Sequence, residues 1–314
     1  MAKYRDALPQ LSDKLFLTDG GLETTLVFHD GIDLPNFAAF DLLKTPEGTK
    51  RLEDHFRQYA QIATDNNVGF ILESVTWRAS SDWGSKMGYS DIALDAINQQ
   101  SIEMLDELRD ELETENSPMV ISACVGPRGD GYNPDDFMTA AEAEHYHSVQ
   151  IKSFSASAAD MVTAMTITYA EEAIGIVCAA NAENIPVVIS FTVETDGHLP
   201  SGQSLNEAIE QVDTGTEKPP VYYMINCAHP EHFESTLAGD ENWLRRIQGI
   251  RANASNKSHA ELDECEELDD GNPDELGEAY QAFSKNLKQL NVFGGCCGTD
   301  HRHVEAICQS VMTA

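Results

Sequence analysis

Two adjacent cysteines near the carboxyl end of the sequence, Cys296 and Cys297, are the side chains best suited to chemistry. Glycines flank them at positions 294, 295 and 298, and the short apolar run 290–293 precedes them. A disulfide between neighbouring residues is strained and rare, because the two side chains start in opposite directions. The glycines let the backbone turn, so that both sulfur atoms could face one point. Taken alone, the pair suits a metal site, two buried small hydrophobic residues or a redox pair.

The sequence contains five further cysteines, Cys124, Cys178, Cys227, Cys265 and Cys308. An odd total of seven, in a large chain without a signal-like segment, argues against a framework of disulfides. We therefore expect reduced thiols. Three of the five, at positions 124, 178 and 308, lie in apolar or helical patterns that are typical of buried small residues.

The chain is strongly acidic. Among its 314 residues, 53 aspartates and glutamates oppose 20 lysines and arginines, and the formal net charge is −33. This balance argues against nucleic acids and anionic membrane surfaces as partners, because both require basic patches. No signal-like apolar segment follows the first residues, and no apolar run is long enough to span a bilayer. We expect a cytoplasmic protein whose acidic surface suits high salt.

Short apolar runs alternate with longer segments of helical periodicity, a pattern that indicates a parallel sheet covered by helices. Eight such units predict an α/β fold, a (β/α)8 TIM barrel, as a single domain over 1–314 with an acidic loop at about 256–276 within it. A doubly wound open sheet is the alternative, but no Gly-x-Gly-x-x-Gly turn follows the first strand. The predicted strands are 15–18, 69–72, 119–122, 160–163, 186–189, 221–225, 246–250 and 291–293, and the clearest helices are 47–66, 92–112, 140–158 and 170–182.

The carboxyl ends of the strands in such a barrel meet at one face, where the chemistry collects. Cys227 follows the sixth predicted strand, so we expect it to lie beside Cys296 and Cys297, which follow the eighth. Thiolate sulfur is a preferred ligand of Zn²⁺, and three protein ligands leave a fourth position for water or substrate. A zinc site explains three thiols at one barrel mouth better than the burial of small residues does.

Five motifs at these strand ends form a set: Asp19-Gly20-Gly21-Leu22-Glu23-Thr24, Ser190-Phe191-Thr192, Asn226-Cys227, Asn253-Ala254 and Gly294-Gly295-Cys296-Cys297-Gly298-Thr299. The set resembles the homocysteine S-methyltransferase family, (β/α)8 zinc enzymes that include betaine- and S-methylmethionine-dependent members. The resemblance covers nearly the whole chain in the family's order, and the last motif combined with Asn226-Cys227 is its most specific part.

The resemblance implies an enzyme that transfers a methyl group from a cationic sulfonium or ammonium donor to the thiol of homocysteine, giving methionine. Coordination to zinc would deprotonate that thiol, so no catalytic side chain is expected beyond the zinc-activated substrate thiolate. The implied zinc ligands are Cys227, Cys296 and Cys297. The expected substrate contacts are Asp19, Gly20, Gly21, Glu23 and Thr24 at the amino-acid end of the site, with Thr76 and Asn226 at neighbouring strand ends.

Met165 departs from the family pattern, because many relatives carry a glutamate there that holds the amino group of homocysteine. A methionine cannot accept a charge-assisted hydrogen bond from an ammonium group. Val75 likewise stands where relatives often have a polar residue. Either Asp19 and Glu23 bind the ammonium group instead, or the acceptor is a related thiol.

A cationic donor would suit a zinc centre with four thiolates, and Trp77, Trp83 or Phe191 could offer it a ring face. Two other functions stay open. One is a zinc–thiolate methyltransferase for a different thiol acceptor, and the other is a non-catalytic zinc-binding protein, whose site a fourth protein ligand would close. The long outer helices offer surfaces for a homo-oligomer.

Overall fold

The computed structural model describes residues 1–132, 134, 137–263 and 267–313. Eight parallel strands follow one another in chain order around a closed barrel, and the first strand pairs with both the second and the eighth. The prediction of a (β/α)8 barrel is confirmed. The strands are β1 Phe16–Leu17, β2 Gly69–Glu73, β3 Met119–Val125, β4 Met161–Ile167, β5 Val187–Phe191, β6 Tyr223–Asn226, β7 Ile247–Ala252 and β8 Val292–Gly295.

Helices alternate with the strands and surround the barrel. Several begin at capping residues: Ser204 and Glu207, for example, form a reciprocal capping box at the start of the helix after β5. No helix in the described part of the chain is long and apolar enough to cross a membrane. The helices are α1 Leu22–Thr24, α2 Pro46–Asp65, α3 Ser81–Lys86, α4 Asp91–Leu112, α5 Ala140–Ser155, α6 Ala170–Ala182, α7 Leu205–Gly215, α8 Pro230–Phe233, α9 His259–Asp263, α10 Pro273–Asn286 and α11 His301–Val311.

The predicted acidic loop at about 256–276 contains α9 and the start of α10. Cys265, which belongs to that loop, lies outside the described residues.

Two apolar clusters hold the barrel together. The larger one fills the space between the sheet and the helices, and the smaller one closes the lower interior of the barrel with Phe16, Ile71, Val120, Met161 and other strand residues. Gly69 shows how tightly this interior packs, because a Cβ atom there would lie 2.2 Å from the ring of Phe16. With the lower interior filled by these described residues, a ligand inside the barrel would lie at the carboxyl ends of the strands.

Candidate metal centre and substrate cavity

Three cysteines converge at the carboxyl face of the barrel. Cys227 comes directly after β6, and Cys296 and Cys297 come directly after β8. Their Sγ atoms all lie within 4.8 Å of one another. Thiolates bind Zn²⁺ at about 2.3 Å, so three sulfurs this close together can reach one ion. The group suits a metal centre.

The structure joins Cys227 and Cys296 in a disulfide. The expectation that all of the cysteines are reduced is therefore wrong for this pair. The reason is the convergence itself, since a fold that gathers sulfur atoms for a metal ion also brings two of them within bonding reach. A disulfide sulfur is no thiolate, so metal binding by all three cysteines requires that this bond first be reduced.

The glycines around Cys296 allow close packing more than they provide unusual backbone angles. A Cβ atom on Gly294 would lie 1.9 Å from Thr18 Oγ1, and one on Gly21 would lie 2.7 Å from the carbonyl oxygen of Cys296. Only Gly298 among the glycines of this turn adopts a positive φ, of 80°. The glycine motifs after β1 and before the cysteine pair therefore serve each other, because they let the two loops touch.

Asn226 and Thr166 hold the cysteines in place. The Asn226 side chain accepts hydrogen bonds from the Thr166 backbone N–H (2.9 Å) and from Ser190 Oγ (2.7 Å), and it donates one to Thr166 Oγ1 (2.8 Å). Thr166 Oγ1 lies 3.8 Å from Cys227 Sγ, and Asn226 Nδ2 lies 3.9 Å from Cys296 Sγ. Asn226 was predicted as a substrate contact, and the structure gives it this set of protein partners beside the metal centre.

Backbone strain collects at the same place. Thr166 has φ 63° and Cys227 has φ 54°, both in the left-handed region that such residues rarely adopt. The register between β4 and β5 also shifts between Ala164 and Ile167, so Thr166 sits on an irregularity of the strand. Strain of this kind typically persists where function requires a particular side-chain placement.

A cavity of about 130 Å³ opens beside the three cysteines. Six of the seven predicted substrate contacts line it; the hydroxyl of Thr76, the seventh, instead donates to the carbonyl oxygen of Cys124 at 2.7 Å and lies outside the lining. Met165 and Val75 form an apolar part of the wall. The predicted residues in the lining are Asp19, Gly20, Gly21, Glu23, Thr24 and Asn226.

A buried charge network forms the floor of the cavity, and its centre is Arg251 on β7. The guanidinium group lies 2.5 Å from Asp19 Oδ1 and 3.3 Å from Glu73 Oε2, and it also donates to the carbonyl oxygen of Gly295 at 3.1 Å. His55 Nε2 lies 3.1 Å from the other oxygen of Asp19. Sequence reasoning missed this network, although a single arginine in an apolar strand is a signal that a buried partner exists.

The two carboxyl groups of the network respond differently to burial. Burial acts to raise the pKa of Asp19, but Arg251 and His55 outweigh it and hold that pKa below its usual value. Burial raises the pKa of Glu73 to about 7, and Arg251 and Ser122 only partly counteract it. Asp19 is therefore ionised at neutral pH, whereas Glu73 is partly protonated there.

Glu23, on α1, is the third carboxyl group in the lining. Among the described residues, no basic group lies within 4.0 Å of it, the limit for an ion pair. Burial raises its pKa to about 7, the nearby charge of Asp19 adds to the increase, and Arg251 and Arg78 act against it. This carboxyl group thus faces the cavity without an ionic partner from the protein.

The two tryptophans proposed as donor platforms already bind a cation of the chain itself. The Arg78 guanidinium stacks between them, 4.1 Å from the ring of Trp77 and 3.8 Å from that of Trp83, and Lys86 lies 3.9 Å from Trp83. Phe191 is fully buried and stacks on Tyr223. The hypothesis that these rings receive the donor is therefore wrong for Trp83 and Phe191. It stays a prediction for Trp77, which lines the cavity and whose ring already contacts Arg78.

Tyr132 and His259 border the metal centre, and sequence reasoning missed both. The Tyr132 hydroxyl lies 3.4 Å from Cys297 Sγ, and its ring stacks on His259 with 4.0 Å between centroids. His259 Nε2 in turn lies 2.7 Å from the carbonyl oxygen of Cys227. Tyr132 lies in a loop and His259 begins α9, and neither is close to the cysteines in sequence, so no local motif indicates them.

Comparisons with known proteins agree with this architecture. The family model described as Homocysteine S-methyltransferase matches residues 16–311. Among solved structures, the homocysteine methyltransferase MmuM from Escherichia coli is similar in its oxidized form, with 18% identity, a TM-score of 0.75 and coverage of 97% of this chain and 99% of that one. The metallated form of that enzyme gives 17% identity, a TM-score of 0.72 and coverage of 97% and 98%. No curated protein sequence matches the chain.

Proposed function

The chain belongs to the homocysteine S-methyltransferase family, and we propose that it transfers a methyl group from a sulfonium or quaternary ammonium donor to homocysteine, giving methionine. We also propose that zinc is its cofactor, with Cys227, Cys296 and Cys297 as ligands. One observation carries the proposal: three Sγ atoms from two strand ends lie within 4.8 Å of one another beside a cavity lined by carboxyl groups.

The residues present fit zinc. Three cysteine sulfurs are a soft donor set that Zn²⁺ prefers over the oxygen-binding cations, and three ligands leave one position open for a substrate thiol. The set is complete once the Cys227–Cys296 disulfide has taken up two electrons and two protons and become two thiols. A reducing compartment such as the cytoplasm would maintain that state.

Bound zinc would supply a thiolate at neutral pH by lowering the pKa of the substrate thiol. Methyl transfer then forms one sulfur–carbon bond while the donor's bond to the same methyl carbon breaks, and the positively charged sulfur or nitrogen atom of the donor keeps the electron pair and becomes neutral. The residues of the chain contribute position: the cavity orients the acceptor, and Asn226 and Thr166 fix the cysteines.

A different thiol acceptor is the second candidate, and the apolar wall formed by Met165 and Val75 favours it. Neither side chain can bind an ammonium or a carboxylate group. A thiol with an uncharged body could pack against this wall. The carboxyl groups in the lining of the cavity favour homocysteine, so we rank homocysteine first.

The test begins with reduction of the protein, loading with zinc and removal of unbound metal. We expect about one zinc per chain, and methionine from homocysteine with at least one of S-methylmethionine, S-adenosylmethionine, betaine and dimethylsulfoniopropionate. Cys297→Ser should lose zinc and reduce turnover by roughly 100-fold or more. Cys178→Ser, which changes a cysteine on α6, is the matched control and should alter neither.

Three results would contradict the proposal in different ways. A reduced protein that binds no zinc would remove the metal centre. Zinc bound with normal affinity but methyl transfer only to a thiol other than homocysteine would select the second candidate, and zinc bound without transfer to any thiol would indicate a non-catalytic site.

A further inference from the structure

Three carboxyl groups line the cavity, and they differ in how much binding capacity they have left. Asp19 lies in the loop after β1, Glu23 lies on α1, and Glu73 ends β2. An ammonium group carries three N–H donors and a positive charge, so it binds best to a carboxylate that no protein cation has already neutralised.

Asp19 has little capacity left. One oxygen lies 2.5 Å from Arg251, and the other lies 3.1 Å from His55. The residue is 4% exposed, so water cannot substitute for these partners. Removing Asp19 from Arg251 would take away one of the two carboxylates that compensate this buried cation, which is costly.

Glu73 is similarly occupied. Its Oε1 atom accepts a hydrogen bond from Ser122 Oγ at 2.8 Å, and its Oε2 atom lies 3.3 Å from Arg251. Ser122 continues the chain of contacts to Thr163 at 2.7 Å. Both oxygens therefore serve the network in the barrel floor.

Glu23 alone of the three lines the cavity without an ion pair to any described basic residue. It lies near enough to Asp19 for the two negative charges to repel each other, and the charges of Arg251 and Arg78 act on it only from a distance, without an ion pair. A ligand cation at this position would give Glu23 the direct ion pair that no described residue provides. Met165 and Val75, which also line the cavity, have no charged group that could compete for the ammonium group.

We infer that Glu23 is the residue that binds the ammonium group of the acceptor, and that it thereby selects an amino-acid thiol over a thiol that carries only an anionic group. Arg251 has the complementary role, because it removes Asp19 from ligand binding and holds it in the floor. This inference rests on the proposed function and deepens it.

A comparison of two thiols tests the inference. Homocysteine and 4-mercaptobutyrate have the same chain, thiol and carboxylate, and they differ only in the ammonium group. With the reduced, zinc-loaded full chain, we expect Glu23→Gln to lower kcat/KM for homocysteine by about 10- to 100-fold, the range for a lost charged hydrogen bond. For 4-mercaptobutyrate we expect a change of less than about twofold. Glu47→Gln, an equal change of charge at an exposed position of α2, should affect neither thiol.

Equal losses for both thiols would overturn the inference, because they would show that Glu23 shapes the cavity rather than binding the ammonium group. Unchanged rates for both thiols would overturn it as well. Calorimetric binding of the two thiols to the wild type and to Glu23→Gln provides a second readout that needs no donor. If no donor supports methyl transfer, the proposed function fails, while the ratio of the two affinities still decides the role of Glu23.

Discussion

Two carboxyl groups at opposite ends of the barrel, Asp160 and Glu23, have opposite surroundings. At the amino end, Asp160 precedes β4 and is fully buried. It accepts hydrogen bonds from the backbone N–H groups of Lys3 (2.8 Å), Tyr4 (2.7 Å) and Ile121 (2.9 Å), and from Arg109 (2.8 Å). At the carboxyl end, Glu23 faces the cavity without an ion pair among the described residues.

This difference separates stability from function within one architecture. Four donors at one carboxylate fasten the N-terminal segment to the barrel, so Asp160 contributes to folding. Glu23 is desolvated and has no ion pair among the described residues. Such a carboxyl group destabilises the fold and is available to a ligand. The backbone strain at Thr166 and Cys227 lies at the same end of the barrel, which agrees with the general location of active sites in this fold.

The largest expected effect concerns the amino end. Asp160→Asn replaces one acceptor oxygen with an NH₂ group that faces two donors, and it removes the charge that Arg109 requires. We expect the free energy of unfolding to fall by about 3–5 kcal/mol, the usual cost of breaking a buried ion pair. Urea denaturation measures this loss, and the thiol specificity of the folded protein should not change.

A loss below about 1 kcal/mol for Asp160→Asn would break the comparison, because the amino end would then be no more dependent on its carboxylate than a surface site is. A changed preference between homocysteine and 4-mercaptobutyrate in Asp160→Asn would also contradict the comparison, because Asp160 would then affect ligand selection. Either result would mean that the two ends do not divide their roles as described.

The fold itself was accessible from the sequence. Every predicted strand overlaps an observed one, because continuous apolar runs are a reliable sign of strands that are buried on both faces. The convergence of Cys227 with Cys296 and Cys297 also follows from strand order alone, since β6 and β8 both end at the same face.

The charge network could not be predicted from the sequence, for a physical reason. Arg251 meets Asp19 from 232 positions away and Glu73 from 178 positions away, and these pairings depend on the side chains that happen to point into the barrel floor. Threonine and cysteine are also poor indicators of a left-handed backbone, so the positive φ angles of Thr166 and Cys227 leave no trace in the sequence. Sequence reasoning therefore left Asp19 and Glu23 as equal candidates, and Arg251 distinguishes them.

A smaller effect is expected at the carboxyl end, with the opposite sign. The pKa of Glu23 is raised to about 7 in the folded protein, above the usual value near 4.5, so the folded state binds the proton more tightly than the unfolded state does. Glu23 therefore lowers the free energy of unfolding as the pH rises from about 4.5 through 7. We expect Glu23→Gln to stabilise the reduced, zinc-free protein by about 1–3 kcal/mol at pH 8.

Urea denaturation of both proteins between pH 5 and 8 checks this prediction. The difference between wild type and Glu23→Gln should shrink steadily as the pH falls, because the glutamic acid becomes neutral like its replacement. A constant difference across this range would show that glutamine stabilises the fold through packing rather than through the lost charge. A less stable variant at pH 8 would show that Glu23 has a stabilising partner after all.

The smallest effect concerns a carboxylate that is neither buried nor close to either end of the barrel interior. Asp54 on α2 pairs with Lys50 one helical turn away at 2.7 Å, and both side chains are largely exposed, at 46% and 70%. We expect Asp54→Asn to change the free energy of unfolding by less than about 0.5 kcal/mol. In about 1 M KCl the Debye length falls to roughly 3 Å, so even this difference should vanish, while the loss in Asp160→Asn should persist.

Salt should also raise the melting temperature of every variant, because it screens the repulsion within a chain of net charge −33. If 1 M KCl removed the Asp160→Asn loss as well, the amino-end ion pair would be a solvated contact, and the contrast between the two ends would reduce to surface electrostatics.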